Sequence, residues 1–146
     1  VEPIRASWTL PATAVTQMPA RLRERQAVFD ETGGLHAAGL FVVDDAGVRL
    51  LDVAEDVGRH NAVDKIVGRM LMREALPLSM HVLCVSGRTS FEIVQKALFA
   101  GIPVVAAVSA PSTLAIALAQ EFGITLVGFV RGGSFTIYAH AHRIAS

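Results

Sequence analysis

One cysteine, Cys84, in 146 residues excludes an internal disulfide and any multi-cysteine metal site within the chain. Lysine is nearly as scarce: Lys65 and Lys96 stand against eleven arginines. Lys plus Arg balances Asp plus Glu at 13 each and the isoelectric point is about 7.1, so no basic face supports binding to duplex nucleic acid. Hydrophobic residues make up 52% of the chain and mean hydropathy is +0.47, yet no uncharged apolar run reaches the roughly 18 residues of a membrane helix. The longest candidate, Ile102 to Leu118, is interrupted by Pro103 and Pro111. The N-terminus lacks the positive region and apolar core of a signal peptide, which makes the cytoplasm the expected compartment. It also lacks an initiating methionine, and Val1 to Thr16 show neither hydrophobic period nor cap. Residues 1–30 are expected to be an N-terminal segment and short helix, the remnant of a longer chain, and residues 31–146 one α/β domain large enough for a substantial core.

Charge is concentrated in two islands. The first is Glu55-Asp-Val-Gly-Arg-His-Asn-Ala-Val-Asp-Lys65 and the second is Ser86-Gly-Arg-Thr-Ser-Phe-Glu-Ile-Val-Gln-Lys96. When an apolar chain gathers its polar residues at two helix starts, a ligand between them is the expected reason.

Periodicity supplies the frame. Met18 to Phe29 reads as a short helix after Pro19, with Arg21, Arg23 and Arg25 on a solvated face, and Thr32-Gly33-Gly34 breaks it. Leu35 to Val43 and Val48 to Val53 are strands joined by the hairpin signal Asp44-Asp-Ala-Gly47. A helix follows with Val63, Ile66, Val67, Met70 and Leu71 as its buried stripe and Asp56, His60 and Asp64 on another, Asn61 and Lys65 beside them. His81 to Val85 is a strand, and Thr89-Ser-Phe-Glu92 is a capping box opening a helix that Gly101 and Pro103 end. Val104 to Val108 reads as a strand buried on both faces. Ser109-Ala-Pro-Ser112 opens a helix with Pro111 in its first turn, closed at Gly123. Ile124 to Val130 and Phe135 to Tyr138 are the last strands. The order α-β-β-α-β-α-β-α-β-β predicts an α/β fold: a mixed sheet with helices on both faces.

Three loops follow strands and open helices: Asp56 to Asn61, Ser86 to Ser90, and Ser109 to Ser112. Such loops gather beyond the carboxyl ends of the strands, where helix N-termini offer free N–H groups to anions. Arg59 and Arg88 add guanidinium groups that match phosphate geometry. Arg59, His60, Lys65, Ser86, Gly87, Arg88 and Ser109 are accordingly the candidate binding residues for a phosphate-bearing ligand. Each has a plainer use: the serines as caps, the arginines as partners of Glu55 and Glu92, and the Asp56–His60–Asp64 stripe as a self-satisfied surface. His36 suits a structural hydrogen bond as well as it suits a site. His140 and His142 read as a tail, and Cys84 as a small core residue.

These segments resemble the FdhD family, the accessory sulfurtransferases of formate dehydrogenase. The resemblance is carried by Thr32-Gly-Gly-Leu-His-Ala-Ala38, the two polar islands, Gly101-Ile-Pro103, Val108-Ser-Ala-Pro-Ser-Thr-Leu-Ala115 and Thr125-Leu-Val-Gly-Phe129, in family order over roughly residues 29 to 140. It implies a cytidine deaminase-like fold. It also implies a sulfur carrier that takes sulfur from a cysteine desulfurase as a persulfide and delivers it to the molybdenum or tungsten bis-molybdopterin guanine dinucleotide cofactor of formate dehydrogenase, with GDP as a cofactor mimic. The family segment assigned to that cofactor corresponds to Phe129, Val130, Arg131, Gly132, Gly133 and Ser134. A homodimer is implied as well, in keeping with the high apolar content. The family's Cys-x-x-Cys loop has no counterpart here, so no catalytic residue is assigned and the chain is expected to supply the cofactor-binding domain.

Two other readings stand beside this one. The chain is a non-catalytic module for a guanine nucleotide or molybdenum cofactor, or, more remotely, a zinc-independent relative of the nucleoside deaminases. Zinc deamination needs a His, a Glu two residues on and a Pro-Cys-x-x-Cys run. His60 could stand for the first, but Ala62 replaces the Glu and Ser86 to Ser90 hold no thiol, so no zinc is expected.

Overall fold

A computed structural model of the protein describes residues 2–26 and 35–146. The chain enters through a short strand, β1 (Leu10–Pro11), and a helix, α1 (Ala12–Gln26). A hairpin follows, β2 (His36–Asp44) and β3 (Gly47–Asp56). Strand and helix then alternate through α2 (Arg59–Met72), β4 (His81–Val85), α3 (Phe91–Ala100), β5 (Val104–Ala107), α4 (Thr113–Phe122) and β6 (Thr125–Arg131). β7 (Ser134–Ala139), a single 3-10 turn (Ala141–Arg143) and β8 (Ile144–Ala145) complete it.

Six strands form one mixed sheet in the order β3-β2-β4-β5-β6-β7. β4, β5 and β6 are parallel, while β2 is antiparallel to both β3 and β4, which makes β3 parallel to β4. The crossovers through α2, α3 and α4 all advance across the sheet in the same direction. Right-handed connections therefore put all three helices on one face. The two-residue side-chain period divides the core between the faces. Leu83, Val85, Val105 and Ala107 pack with α2, α3 and α4, whereas Val82, Cys84, Val104 and Ala106 pack with α1. The α/β class, the mixed sheet and the helices on both faces match the sequence expectation.

Several local expectations need correction. α1 starts at Ala12 instead of Met18 and carries Pro19 within it, because Val15, Met18 and Leu22 form one stripe buried against the sheet. The opening segment has partners that no period reveals: the Ile4 amide donates to the Phe122 carbonyl at 2.7 Å, the Trp8 indole donates to the Ser79 carbonyl, and β1 pairs with β8. The cap of α3 is Ser90, not Thr89. Thr89 is fully buried, its backbone bridges Pro111 and its carbonyl accepts from Ser112 N at 2.9 Å, so the helix starts one residue later. Pro111 is held in that bridge outside α4, whose cap is Ser112. Asp56 ends β3 and shares no helical stripe with His60 and Asp64. The break at Thr32-Gly33-Gly34 and the helix end at Phe29 lie outside the described residues.

Candidate functional site

Because β3, β4, β5 and β6 run in one direction, their carboxyl ends meet at one edge of the sheet. The start of β2 at His36 meets them there, paired in register with Asp56. All three loops singled out in the sequence lie on this edge, as does the turn after β6.

The first loop is shaped by Asp56. One carboxylate oxygen accepts from Gly58 N at 2.9 Å and from Asn61 Nδ2 at 3.4 Å, and the other pairs with Lys65 Nζ at 3.0 Å. Lys65 also donates to the Glu55 carbonyl at 2.6 Å. Lys65, a candidate ligand residue, is thus occupied in bracing the loop. Gly58 precedes α2 without a side-chain cap, which leaves the first amides of the helix without that partner. The Gly58 N–H bond first, and Lys65 second, hold the Asp56 carboxyl below its usual range. A depressed folded value means the contribution is complete above about pH 4 and is lost as pH falls through that lowered value. Acidification from about pH 5 to below about pH 3 is expected to expose the Gly58 amide to exchange. Asp56→Ala should do the same at neutral pH, and a Gly58 amide still protected in that variant contradicts the assignment.

The second loop is tied to β2. Ala37 N donates to Ser86 Oγ at 2.9 Å and Ser86 N donates to the Ala37 carbonyl at 3.0 Å, so Ser86 extends the ladder between β2 and β4. Gly87 lies against His36: a Cβ there would stand 3.2 Å from its Nδ1 and 3.9 Å from Arg59 Cδ. Two clefts open around this point. One, of about 310 Å³, is lined by His36, Gly58, Arg59, His60 and Asn61. The other, of about 370 Å³, lies toward α1 and is lined by Arg23, Gln26, His36, Ser86 and Gly87. His60 Nε2 is 2.8 Å from Ser90 Oγ, the cap that also accepts from Ile93 N, and 3.9 Å from Glu92.

The turn after β6 is set by close packing. A Cβ on Gly128 would fall 2.9 Å from the Tyr138 ring, 3.0 Å from Pro111 and 3.1 Å from the Ser109 carbonyl, so only glycine lets β6 approach the third loop. The pairing with β7 slips between Gly128 and Arg131, and Phe129 within the slip has φ of 53° while its amide reaches the Ser109 carbonyl at 3.4 Å. The Arg131 guanidinium stands 5.2 Å from the centre of the Phe129 ring. Gly132 and Gly133 turn the chain at φ of 60° and 80° with open space beside them, and Ser134 Oγ donates to the Arg131 carbonyl. Val130 is buried in the layer under α1 and is a core residue.

Arg49, Arg69, Lys65 and Lys96 each have a carboxylate partner. Among the described residues Arg23, Arg59, Arg88 and Arg131 have none, and Arg59 and Arg88 do not pair with Glu55 or Glu92. Among the described residues this edge therefore carries guanidinium groups without carboxylate partners beside a helix start with no side-chain cap, an arrangement suited to phosphate. Cys84 offers no chemistry here: it is fully buried in β4 and its thiol is pushed up to about 12 by burial. Among the described residues no group of three His, Cys, Asp or Glu is placed to hold a metal ion, and no helix is long and apolar enough to cross a membrane.

The FdhD/NarQ family pattern matches residues 1–145. The chain belongs to the FdhD/NarQ family. It is 58% identical to the sulfur carrier protein FdhD of Streptomyces avermitilis over 96% of its own length and 51% of that protein. To the Streptomyces coelicolor FdhD it is 61% identical over 98% of its length and 48% of the relative. A solved structure from Desulfotalea psychrophila, provisionally assigned as a formate dehydrogenase accessory protein, superposes with a TM-score of 0.85 at 30% identity, covering 99% of this chain and 60% of that one. The chain thus spans about half the length of these FdhD relatives.

Within this FdhD-family domain, the structure gathers Arg59, His60, Ser86 and Gly87 around adjoining clefts, with Arg88 exposed in the same loop. Ser109 is joined to the Phe129–Ser134 turn through its carbonyl. His36 and Arg23 join the clefts although the sequence reading left the first undecided and put the second on a solvated face. The signal for His36 lay in its place after Thr-Gly-Gly, but only the hairpin register brings it opposite Asp56.

Proposed function

We propose that this chain is the cofactor-holding half of a sulfur carrier protein for formate dehydrogenase maturation. In the full protein, sulfur taken from a cysteine desulfurase as a persulfide is delivered to the molybdenum or tungsten bis-molybdopterin guanine dinucleotide cofactor. The observation that carries this reading is a strand edge whose Arg59, Arg88 and Arg131 have no carboxylate partner among the described residues, on a chain whose one thiol is sealed in the core. The residues present fit the cofactor's nucleotide tail. Arg59 and Arg88, without carboxylate partners among the described residues, and the open start of α2 suit its phosphates, and the open space at Gly132 and Gly133 admits it closely. When bound, the cofactor supplies the metal centre that accepts sulfur. The chain's own residues bind, orient and fix its distal end: Arg131 and Phe129 present a flat guanidinium–aromatic pair suited to a purine.

Phe129 is a direct probe of that pair. A non-glycine residue at positive φ carries a conformational cost of about 1–2 kcal/mol, which Phe129→Gly removes while losing a half-buried ring. Stability is expected to change by less than about 1 kcal/mol, whereas GDP affinity falls roughly tenfold through lost stacking. Unaltered affinity in this variant, measured by calorimetry, contradicts a stacking role.

The division of labour is tested by incubating the chain, and separately a full-length relative, with a cysteine desulfurase and cysteine, then trapping persulfides for mass spectrometry. The relative is expected to label and Cys84 is not, because a persulfide forms on an accessible thiolate. Persulfide on Cys84 of the folded chain contradicts the proposal.

A further inference from the structure

We infer that His36 is a ligand-contacting residue of this edge, its imidazole donating a hydrogen bond to the anionic group of a phosphate-bearing ligand. The inference rests on the reading that the edge binds phosphate and adds a residue to it. Three observations carry it. Among the described residues, His36 is the side chain that lines both clefts. No hydrogen bond to its ring is formed by any described residue. Its Nδ1 faces Gly87, where a Cβ would stand 3.2 Å away, so the smallness of Gly87 gives the ring its place.

The charged neighbours among the described residues favour an anion as the partner of this ring. Arg59 from α2 approaches Gly87 from the same side, and Arg23 from α1 lines the cleft toward that helix. Asp56 of β3 is opposite in register, but its oxygens are taken by Gly58 N, Asn61 and Lys65. His60 shares the cleft toward α2 and is joined to Ser90. Among the described residues no carboxylate forms an ion pair with this imidazole, which lies among guanidinium groups and meets its acceptor when a phosphate oxygen arrives. An imidazolium donor carries a charge that a neutral imidazole lacks, so a bond of this kind strengthens as pH falls.

The experiment is calorimetric titration of the whole chain and of His36→Gln with GDP at about pH 6 and about pH 8, in two buffers of different ionisation enthalpy. The ratio between the two proteins removes the pH dependence of the nucleotide's own phosphate and of every other group common to both. The expected result is that His36→Gln binds roughly threefold to tenfold more weakly at the lower pH, close to normally at the higher one, and takes up fewer protons. Inorganic pyrophosphate should show the same difference, which places the contact on phosphate. Gly87→Ala, which moves the ring, should weaken binding in the unaltered background and not in the His36→Gln background, separating a ring contact from a general loss of structure. If the two proteins have the same pH profile and proton uptake, the inference is overturned while the anion-site reading stands. If the unaltered chain binds neither GDP nor pyrophosphate, the anion-site reading fails and the inference fails with it.

Discussion

Replacing Arg143 with leucine is expected to lower the free energy of unfolding by about 3–4 kcal/mol and to release the segment from Ile4 to Leu10 from the domain. Arg143 is 1% exposed and has no carboxylate partner among the described residues. Its Nε donates to the Ala6 carbonyl at 2.8 Å, and one terminal nitrogen serves the Pro103 carbonyl at 3.2 Å, Thr125 Oγ1 at 3.1 Å and the Gly123 carbonyl. Pro103 O also accepts from Thr125 N, so it keeps one donor after the change, whereas the Ala6 carbonyl has no other described partner. Leucine fills part of the volume and supplies no donor, leaving acceptors unpaired at a cost of about 1–3 kcal/mol for each one that stays buried. Arg143→Lys keeps the charge but not the planar fork, and is expected to recover less than half of the loss. Urea denaturation measures the stability change. Amide exchange at Ile4, whose N–H is bonded to Phe122, reports release of the segment. An unchanged denaturation midpoint in Arg143→Leu contradicts the clamp.

Arg88→Ala and Arg131→Ala are each expected to weaken GDP binding by about 1.5–3 kcal/mol, roughly 10- to 150-fold, if each guanidinium makes a charge-assisted hydrogen bond to the nucleotide. Neither forms an ion pair among the described residues, so truncation leaves no protein carboxylate stranded. Stability should therefore stay within about 0.5 kcal/mol of the unaltered chain, as for surface changes that break no structural feature. The effect also has a salt signature: exposed guanidinium contacts weaken as ionic strength rises, so the ratio between each variant and the unaltered chain should shrink in high salt. Retained GDP affinity in both variants places the nucleotide elsewhere. A large stability loss in either one indicates a bracing role instead.

The architecture was legible because its signals are local and repetitive. Val63, Ile66, Val67 and Met70 mark a helix by spacing alone, and Gly101 and Gly123 end α3 and α4 at φ of 77° and 81°, as their positions after the apolar stripes suggested. Ser90 and Thr89 show where such reading stops. Both residues suit a cap, and the choice was made by the bridge to Pro111, a tertiary contact. The three loops were legible as a group, since strands running one way put their ends on one edge. The standing of each residue in them was not. Lys65 and Arg59 look alike in sequence, yet Lys65 folds back on Asp56 and Arg59 has no carboxylate partner among the described residues. Phe129 gives no sign of its positive φ, which follows from the approach of Gly128 to Ser109 and Pro111. The entry strand and its clamp were invisible for the same reason: Ala6 and Arg143 are 137 residues apart and meet only once the sheet is built.

Calorimetric titration of the chain with GDP, with ADP as control, tests the central claim most directly. The expected result is a saturable site for GDP and at least roughly tenfold weaker binding of ADP, a difference of about 1.4 kcal/mol set by the base. Equal affinity for the two nucleotides, or no binding of GDP, contradicts a guanine-nucleotide site formed by these residues.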